Sequence, residues 1–535
     1  MCDNKMEEYS MNKMLYGENT AGKKAYLGIE LGSTRIKAVL MDDMYQIIST
    51  GGYNWESTLV DGIWSYSLGE AAAGFKAALR ELASNMREDV SLQCVGISGM
   101  MHGYLAFDEK WELLTPFRTW QNTMTREASE ELTQLLQFNI PQRLSIAHLY
   151  HAILNEEAHL PRLRHMTTLA GYLHYLLTGV NAVCVDEASG MFPIDSDGRT
   201  YDRGMIAKTE ALFAEHGVHL SLEALLPEVK VAGEKAGNLT EAGYEFLEGL
   251  LPLGVPFAPA TGDGGTGMVA TNSVAPRTGN VSAGTSIFAD IVLERPLKKL
   301  YPEIDIVTTP AGRPVAEVHG NNCTADINMW VKMFGELLAL FGCKPTEDEL
   351  FRKLYEYSLR GEADCSSISV INYLAGECVT HLDEGRPMVV RRPDSELDLA
   401  NFIRAHLYGL FATLKSGIDL LRDENICIDR LMGHGGVFKT KGVGQRYLAA
   451  ACNAEVTCME NAGEGGPYGM AILCAYMLQR EEGETLEAFL EKRVFANTKA
   501  NTVLPEKTEV EGFERYMERF EGCIKLGERA LELGL

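Results

Sequence analysis

The chain has no run of apolar residues long enough to cross a bilayer. Its longest apolar stretches, such as Tyr468 to Leu478, fall far below the roughly 20 residues that a spanning helix needs. Positive charge is also scarce. Against 74 Asp plus Glu stand 49 Lys plus Arg, a formal net charge of −25, which opposes non-specific attraction to nucleic acid or to an anionic membrane. An anionic ligand must then be held by local features, such as backbone N–H groups at a glycine turn. The 12 cysteines are scattered singly from Cys2 to Cys523 with no C-x-x-C pair, so neither a disulfide framework nor a zinc ribbon is expected. The pairs His148 and His151, and His216 and His219, lack a Cys or carboxylate at ligand spacing, and they read as surface or core histidines rather than metal ligands. Met1 to Lys24 is polar and mixed in charge, without the apolar centre of a secretory signal. It reads as a loose extension, and the expected location is cytoplasmic.

What is present is an ordinary globular composition, 46% apolar and 23% charged over 535 residues. At roughly 150 residues per domain, that length predicts two large domains. Ala25 to Asp42 reads as a β-hairpin, with alternating apolar character on both sides of the turn Gly32-Ser33-Thr34. A helix is expected over Gly69 to Glu88 and a buried strand over Leu92 to Ile97, the alternation of an α/β domain. Thr125 to Thr178 reads as mostly helical, and Val255 to Ala260 as an apolar strand leading into Thr261-Gly-Asp-Gly-Gly-Thr-Gly267.

A second hairpin follows. Its turn, Gly284-Thr285-Ser286, can be laid on Gly32-Ser33-Thr34 without gaps, and a β-rich return strand comes after each. This is an internal repeat of two similar domains. Helices are expected at Ala325 to Phe341, Asp398 to Arg422 and Gly442 to Asn453, with a buried strand at Cys427 to Met432 before Gly433-His-Gly-Gly436. A last glycine cluster, Gly463 to Gly469, opens a helix. The expected division is an extension at 1–24, a first domain at 25–275 and a second at 276–535. A hinge is expected near residues 272–278, where Asn272, Pro276 and Gly279 supply turn chemistry.

A turn of Gly, Ser and Thr can aim backbone N–H groups and hydroxyls at a phosphate, because glycine lets the backbone approach closely. One such turn is usually only a turn; two that open successive domains can grip a polyphosphate. Asp263 stands just after a strand among Gly262, Gly264 and Gly265, which leaves its carboxylate open to accept a proton from a hydroxyl nucleophile. The bland reading is an Asp that caps a turn or helix.

Taken in order, these segments resemble the FGGY family of carbohydrate kinases, in the actin and Hsp70 superfamily. Gly28 to Lys37 is similar to the family's first phosphate loop, Thr261 to Gly264 to its catalytic carboxylate segment, and Ser282 to Ser286 to its second phosphate loop. Gly433 to Gly436 and Gly465 to Gly469 resemble the nucleotide-side glycine segments. Within the family, Met101-His102-Gly103 resembles the xylulokinases and their sedoheptulose-kinase relatives. The resemblance implies an α/β fold of two actin-like (ribonuclease H-like) domains with a nucleotide and sugar cleft between them. It also implies ATP and Mg2+ as cofactors, and a small-molecule sugar as the partner; it allows a homodimer and suggests neither nucleic acid nor membrane.

By the same resemblance, Met101, His102, Gly103, Trp120, Asn122, Asp263 and Gly264 would meet the sugar. Gly32, Ser33, Thr34, Gly284, Thr285, Ser286, Gly435, Gly436, Gly465 and Gly466 would meet ATP. Glu30 and Asp263 would hold the magnesium, an oxygen-seeking ion that keeps much of its water. Asp263 would be the catalytic base. Four places depart from the family pattern: Glu30 replaces Asp, Asn122 and Met124 stand where Asp and Arg are usual, Met100 replaces Gln, and Gly376-Glu377-Cys378 replaces Gly-Glu-Arg. The expected activity is phosphorylation of a small ketose, D-xylulose first among pentuloses. Sedoheptulose or another ketose or polyol is the alternative substrate. The rival classes are a silent sugar sensor of the same fold and an actin-like or chaperone-like ATPase acting on proteins.

Overall fold

The computed structural model describes residues 23–87, 90–459 and 465–535, so the expected polar extension lies almost wholly outside the described residues. Along the first half run β1 (Lys23–Leu31), β2 (Arg35–Asp42), β3 (Ile47–Asn54), α1 (Leu68–Asn85), β4 (Val90–Gly99), α2 (Ser145–Leu154), α3 (Leu169–Thr178), α4 (Val185–Ser189), β5 (Thr261–Gly262) and α5 (Asp263–Ala270). Then follow β6 (Thr278–Ala283), β7 (Ile287–Val292), β8 (Asp305–Thr308), β9 (Pro314–Gly320), α6 (Ala325–Leu340), α7 (Leu399–Asp423) and β10 (Arg430–His434). The chain continues through α8 (Val443–Cys452), β11 (Glu455–Met459), α9 (Gly465–Gln479), β12 (Ala500–Val503) and α10 (Lys507–Glu532). It divides into two compact units. The first takes Met1–Val274, Ile306–Val315 and Gly463–Thr498, and the second Ala275–Asp305, Ala316–Ala462 and Lys499–Leu535. Gly463–Thr498, assigned by sequence to the second half, thus clusters with the first.

The first unit is built on a five-stranded sheet in the order β5-β4-β1-β2-β3. β1 pairs antiparallel with β2 and parallel with β4, whereas β2 and β3 are antiparallel. Buried Leu27, Ile29 and Leu31 of β1 and Ile36, Ala38 and Leu40 of β2 place this sheet in the main core. α1 starts where Ser67 accepts a hydrogen bond from Glu70 N, a side-chain N-cap.

α9 packs on this sheet, and it is apolar all round because it is buried, from Gly466 through Tyr476. Its approach requires glycine at two places. A Cβ on Gly28 would stand 2.0 Å from Pro467 O, and one on Gly469 2.0 Å from Thr266 O, so β1, α5 and α9 meet backbone to backbone.

The second unit repeats the pattern. Its seven-stranded sheet runs β8-β9-β7-β6-β10-β11-β12. β6 pairs antiparallel with β7 and parallel with β10, and β10 runs parallel to β11. With β8 and β12 set aside, β9-β7-β6-β10-β11 matches β3-β2-β1-β4-β5 in order, so the repeat read from two hairpin turns extends to a five-stranded core.

Two expected strands differ. Val255 to Ala260 is not a strand; it contributes the isolated bridges Val95 to Phe257 and Val183 to Ala260, and regular pairing begins only at β5. Pro256 and Pro259 remove the N–H donors that a ladder would need. The strand expected at Cys427 to Met432 is β10, which begins three residues later and runs into the glycine segment through His434.

Candidate active site

In the first unit, the β1–β2 turn is tied down through its carbonyls. Trp55 Nε1 donates to Gly32 O at 2.7 Å, Tyr66 OH to Ser33 O at 2.7 Å, and Trp55 N to Thr34 O at 3.1 Å. The Trp55 and Tyr66 rings lie against each other, with centroids 4.5 Å apart. Holding a turn by its carbonyls directs its N–H groups the other way, the polarity an anion requires.

Glu30 stands across from Lys37 in the hairpin register. Burial pushes its carboxyl up to about 7, the negative charge of Asp263 adds to the rise, and Lys37 opposes it. A Cβ on Gly466 would sit 2.7 Å from Glu30 Oε1 and 3.0 Å from Thr266 Oγ1. Gly466, expected on the nucleotide side, is therefore pressed against Glu30 within the first unit.

Asp263 is the first residue of α5, where a carboxylate is favoured by the helix dipole. Gly264 N donates to its Oδ1 at 2.9 Å. Thr266 Oγ1 bonds Gly262 O and Asp263 O at 3.1 and 3.2 Å, and so stiffens the bend. The preceding residue is held from beneath, since Gly262 N donates to Asp186 Oδ2 at 3.0 Å. Asp186 is fully buried, and desolvation pushes its carboxyl up to about 7.

Met101 and His102 come to the same place. A Cβ on Gly262 would meet Met101 Cγ at 2.5 Å and Sδ at 2.7 Å, and one on Gly264 would meet Met101 Sδ at 3.5 Å. His102 and Gly103 are both left-handed, at φ 68° and 85°, which turns the chain sharply after β4. The His102 ring is fixed on both sides: Nδ1–H donates to Gly190 O at 3.2 Å, and Nε2 accepts from Arg143 Nε at 3.1 Å. A carbonyl can only accept, so the Gly190 bond sets this tautomer.

Other expected residues are placed differently. Asn122 is buried, and its amide serves the Trp64 main chain, accepting from Trp64 N at 2.9 Å and donating to Trp64 O at 2.8 Å. Trp120 is exposed. His148 is a buried ring whose pKa burial lowers to about 3, so it is neutral.

In the second unit, Gly284 N donates to Ser286 O at 2.9 Å to close the β6–β7 turn. A strap over Asn322–Thr324 holds that turn. Cys323 N donates to Thr285 O at 3.0 Å, while Thr324 donates from N and Oγ1 to Gly284 O at 3.1 and 2.8 Å. The strap is anchored in turn by Glu377, whose Oε2 accepts from Asn322 N at 3.3 Å and Nδ2 at 3.1 Å. Burial pushes the Glu377 carboxyl up to about 7. Beside this turn, β6 and β10 place Ser282 opposite His434. Gly435, at φ 103°, lies where a Cβ would be 2.4 Å from Ala283 O, so only glycine fits; Gly436 has open space around it. These residues lie on one end of the second sheet.

Sequence reasoning missed Arg143, Asp186, Glu187, Thr266 and the strap. Two adjacent acids inside the apolar run Val183 to Phe192 were the available signal for Asp186 and Glu187. Arg143 and the strap carry none, because they reach the site through distant pairings. Among the described residues, no group of three or more His, Cys, Asp or Glu gathers as a metal set. A hard cation that keeps its water needs fewer protein ligands, and the coupled pair Glu30 and Asp263 suits one: two oxygen ligands whose charges repel.

A doubled sheet of this order, each copy opened by a glycine-hydroxyl hairpin, defines the class of two-domain actin-like folds. Within that class, the pattern for the "FGGY family of carbohydrate kinases, N-terminal domain" matches residues 25–270, that for its C-terminal domain matches residues 279–478, and the chain belongs to this family of carbohydrate kinases. It is 22% identical over 522 residues to the xylulose kinase of Haemophilus influenzae, covering 92% of this chain and 98% of that protein. In structure it resembles the ligand-bound xylulose kinase of Lactobacillus acidophilus, with a TM-score of 0.78 at 14% identity over 94% of this chain and 98% of the other. The gluconate kinase of the same organism is as similar, with a TM-score of 0.77 at 14% identity and the same coverage. Among the described residues, no helix is long and apolar enough to cross a membrane.

Proposed function

We propose that this carbohydrate kinase transfers the γ-phosphoryl group of ATP to a hydroxyl of a small ketose, D-xylulose before others, in the cytoplasm. The observation that carries the reading is the approach of Met101, the residue before His102, to Gly262, the residue before Asp263, in a chain whose full-length relative is a xylulose kinase. In this reading, residues 25–275 bind the sugar and residues 276–535 supply most of the nucleotide contacts.

Asp263 accepts the proton as the sugar oxygen bonds to phosphorus and the bond to the β-phosphate oxygen breaks, releasing ADP. Met101 packs on the carbon skeleton. His102, locked by Gly190 and Arg143, presents a ring of fixed orientation to the sugar. Gly103, Trp120, Asn122 and Gly264 shape the sugar side, Asn122 by holding the Trp64 main chain in place.

In the second unit the Gly284-Thr285-Ser286 turn, held by the strap, offers a phosphate the N–H groups of Thr285 and Ser286, Gly284 N being spent on closing the turn; in the first unit the Gly32-Ser33-Thr34 turn, held by Trp55 and Tyr66, offers those of Ser33 and Thr34, Gly32 N being spent on Arg35 O. Gly435 and Gly436 leave room for the nucleoside, and Gly465 and Gly466 bring the start of α9 to the phosphate side of Glu30. Glu30 and Asp263 would hold Mg2+, which supplies charge neutralisation for the phosphoryl oxygens. Phosphoryl transfer asks for positioning and neutralisation above all, and these residues offer both.

The test is a coupled ADP-release assay with xylulose, ribulose, sedoheptulose and fuculose. Sugar-dependent ADP release, with D-xylulose preferred and a phosphorylated ketose as product, is expected. ADP release indifferent to every sugar would overturn the reading.

A further inference from the structure

Next to this site lies a further acid with no part in the phosphoryl transfer. Glu187 sits in α4, fully buried at 0% exposure, and neither of its carboxyl oxygens has a hydrogen-bond partner of ordinary geometry. The Thr168 hydroxyl eases the cost without matching it: desolvation, reinforced by the charges of Asp186 and Asp263, leaves the Glu187 carboxyl well above the usual range. An unsatisfied buried carboxyl is expensive and needs a physical account.

Its surroundings supply one. The position a side chain on Gly262 would occupy is 3.0 Å from Glu187 Oε2, 2.7 Å from Met101 Sδ and 2.5 Å from Met101 Cγ. Glu187 and Met101 therefore meet at one point, beside the residue that carries Asp263. Three residues on, Gly190 O accepts from His102 Nδ1. One short segment, 187–190, thus reaches the spot that Met101 approaches and binds the His102 ring. Asp186, its neighbour, has a different task, because its Oδ2 is spent on Gly262 N. Among the described residues no Lys or Arg is paired with Glu187, so no described cation of the protein explains it, and an apolar ligand would leave it as costly as before. A polyol hydroxyl, which can both donate and accept, matches it.

The geometry points to Glu187 as a specificity-determining residue, whose carboxyl hydrogen-bonds a hydroxyl of the acceptor sugar beside Met101 and thereby selects among ketose epimers. This rests on the reading of Met101, His102 and Asp263 as the sugar site. A pocket that hydrogen-bonds a hydroxyl penalises the analogue lacking it far more than an apolar pocket can, because the buried partner is left unpaired. That is the discrimination a carboxyl with two unmet oxygens provides.

The test compares kcat and KM of wild type, Glu187→Leu and Glu187→Gln on D-xylulose, D-ribulose and L-ribulose, with the KM for ATP measured alongside. In Glu187→Leu, the KM for the preferred ketose should rise at least about tenfold, and the preference between best and worst epimer, as the ratio of kcat/KM, should shrink by about tenfold. The KM for ATP should stay within about twofold, and Glu187→Gln, which keeps a hydrogen-bonding group, should recover most of the preference. Glu187→Ala gives the same readout if the leucine variant yields no folded protein. A merely structural role would lower melting temperature without moving epimer preference, and that result would overturn the inference. Wild-type enzyme that phosphorylates no ketose would instead refute the underlying sugar-site reading.

Discussion

Glu377→Gln isolates the energetics of the strap in the second unit. Glu377 is buried, its Oε2 accepts both Asn322 bonds, and among the described residues its Oε1 has no hydrogen-bond partner of ordinary geometry. A glutamine oxygen can keep both bonds, with the amide NH2 standing where Oε1 now is. The carboxyl titrates at about 7 in the fold, against its ordinary value of 4.5, with burial as the cause. Between those values the folded state binds the proton more tightly than the unfolded chain. The Glu377 contribution to stability therefore falls as pH rises through this window and is flat on either side. At about 1.4 kcal/mol per pH unit, the full loss is about 3 kcal/mol, and from about pH 5.5 to about pH 8 it is about 2 kcal/mol. Glutamine does not titrate. In urea unfolding followed by fluorescence, the variant should thus gain about 2 kcal/mol on the wild type between the lower and the higher pH. Stability curves that stay parallel across the window would show that Glu377 is not the buried acid described here.

Gly466→Ala places a Cβ 2.7 Å from Glu30 Oε1 and 3.0 Å from Thr266 Oγ1; it should cost about 1–3 kcal/mol in unfolding experiments and raise the Mg2+ concentration needed for half-maximal rate. Trp55→Phe removes the donor to Gly32 O; it should cost about 1–3 kcal/mol in thermal unfolding and raise the KM for ATP while the KM for sugar changes little, and equal KM values for ATP would detach this turn from the nucleotide.

The doubled architecture was legible because two hairpins carry their signature locally: alternating strands around a turn of Gly with Ser and Thr. Local patterns also place α1, α6, α7 and α8 to within a few residues, since each has its apolar period within the window read, and α1 and α7 are capped locally by Ser67 and Asp398. The apolar run Val255 to Ala260 misleads for an equally local reason, because hydrophobicity suggested a strand and Pro256 and Pro259 forbid its ladder. The site is less legible. Asp263, Met101 and His102 stand out by glycine context and by resemblance, but what fixes them comes from far along the chain: Gly190 and Arg143 on His102, Asp186 under Gly262, Gly466 on Glu30. Asn122 shows the reverse. A polar residue at an expected sugar position spends its amide on the Trp64 backbone, and no sequence pattern announces that.

The most direct measurement is single-turnover formation of phosphorylated D-xylulose by wild type and Asp263→Asn, with ATP binding measured in parallel. The proton-acceptor role predicts a loss of about 10² to 10⁴ in rate with ATP affinity largely kept. Equal rates in the two proteins would contradict it.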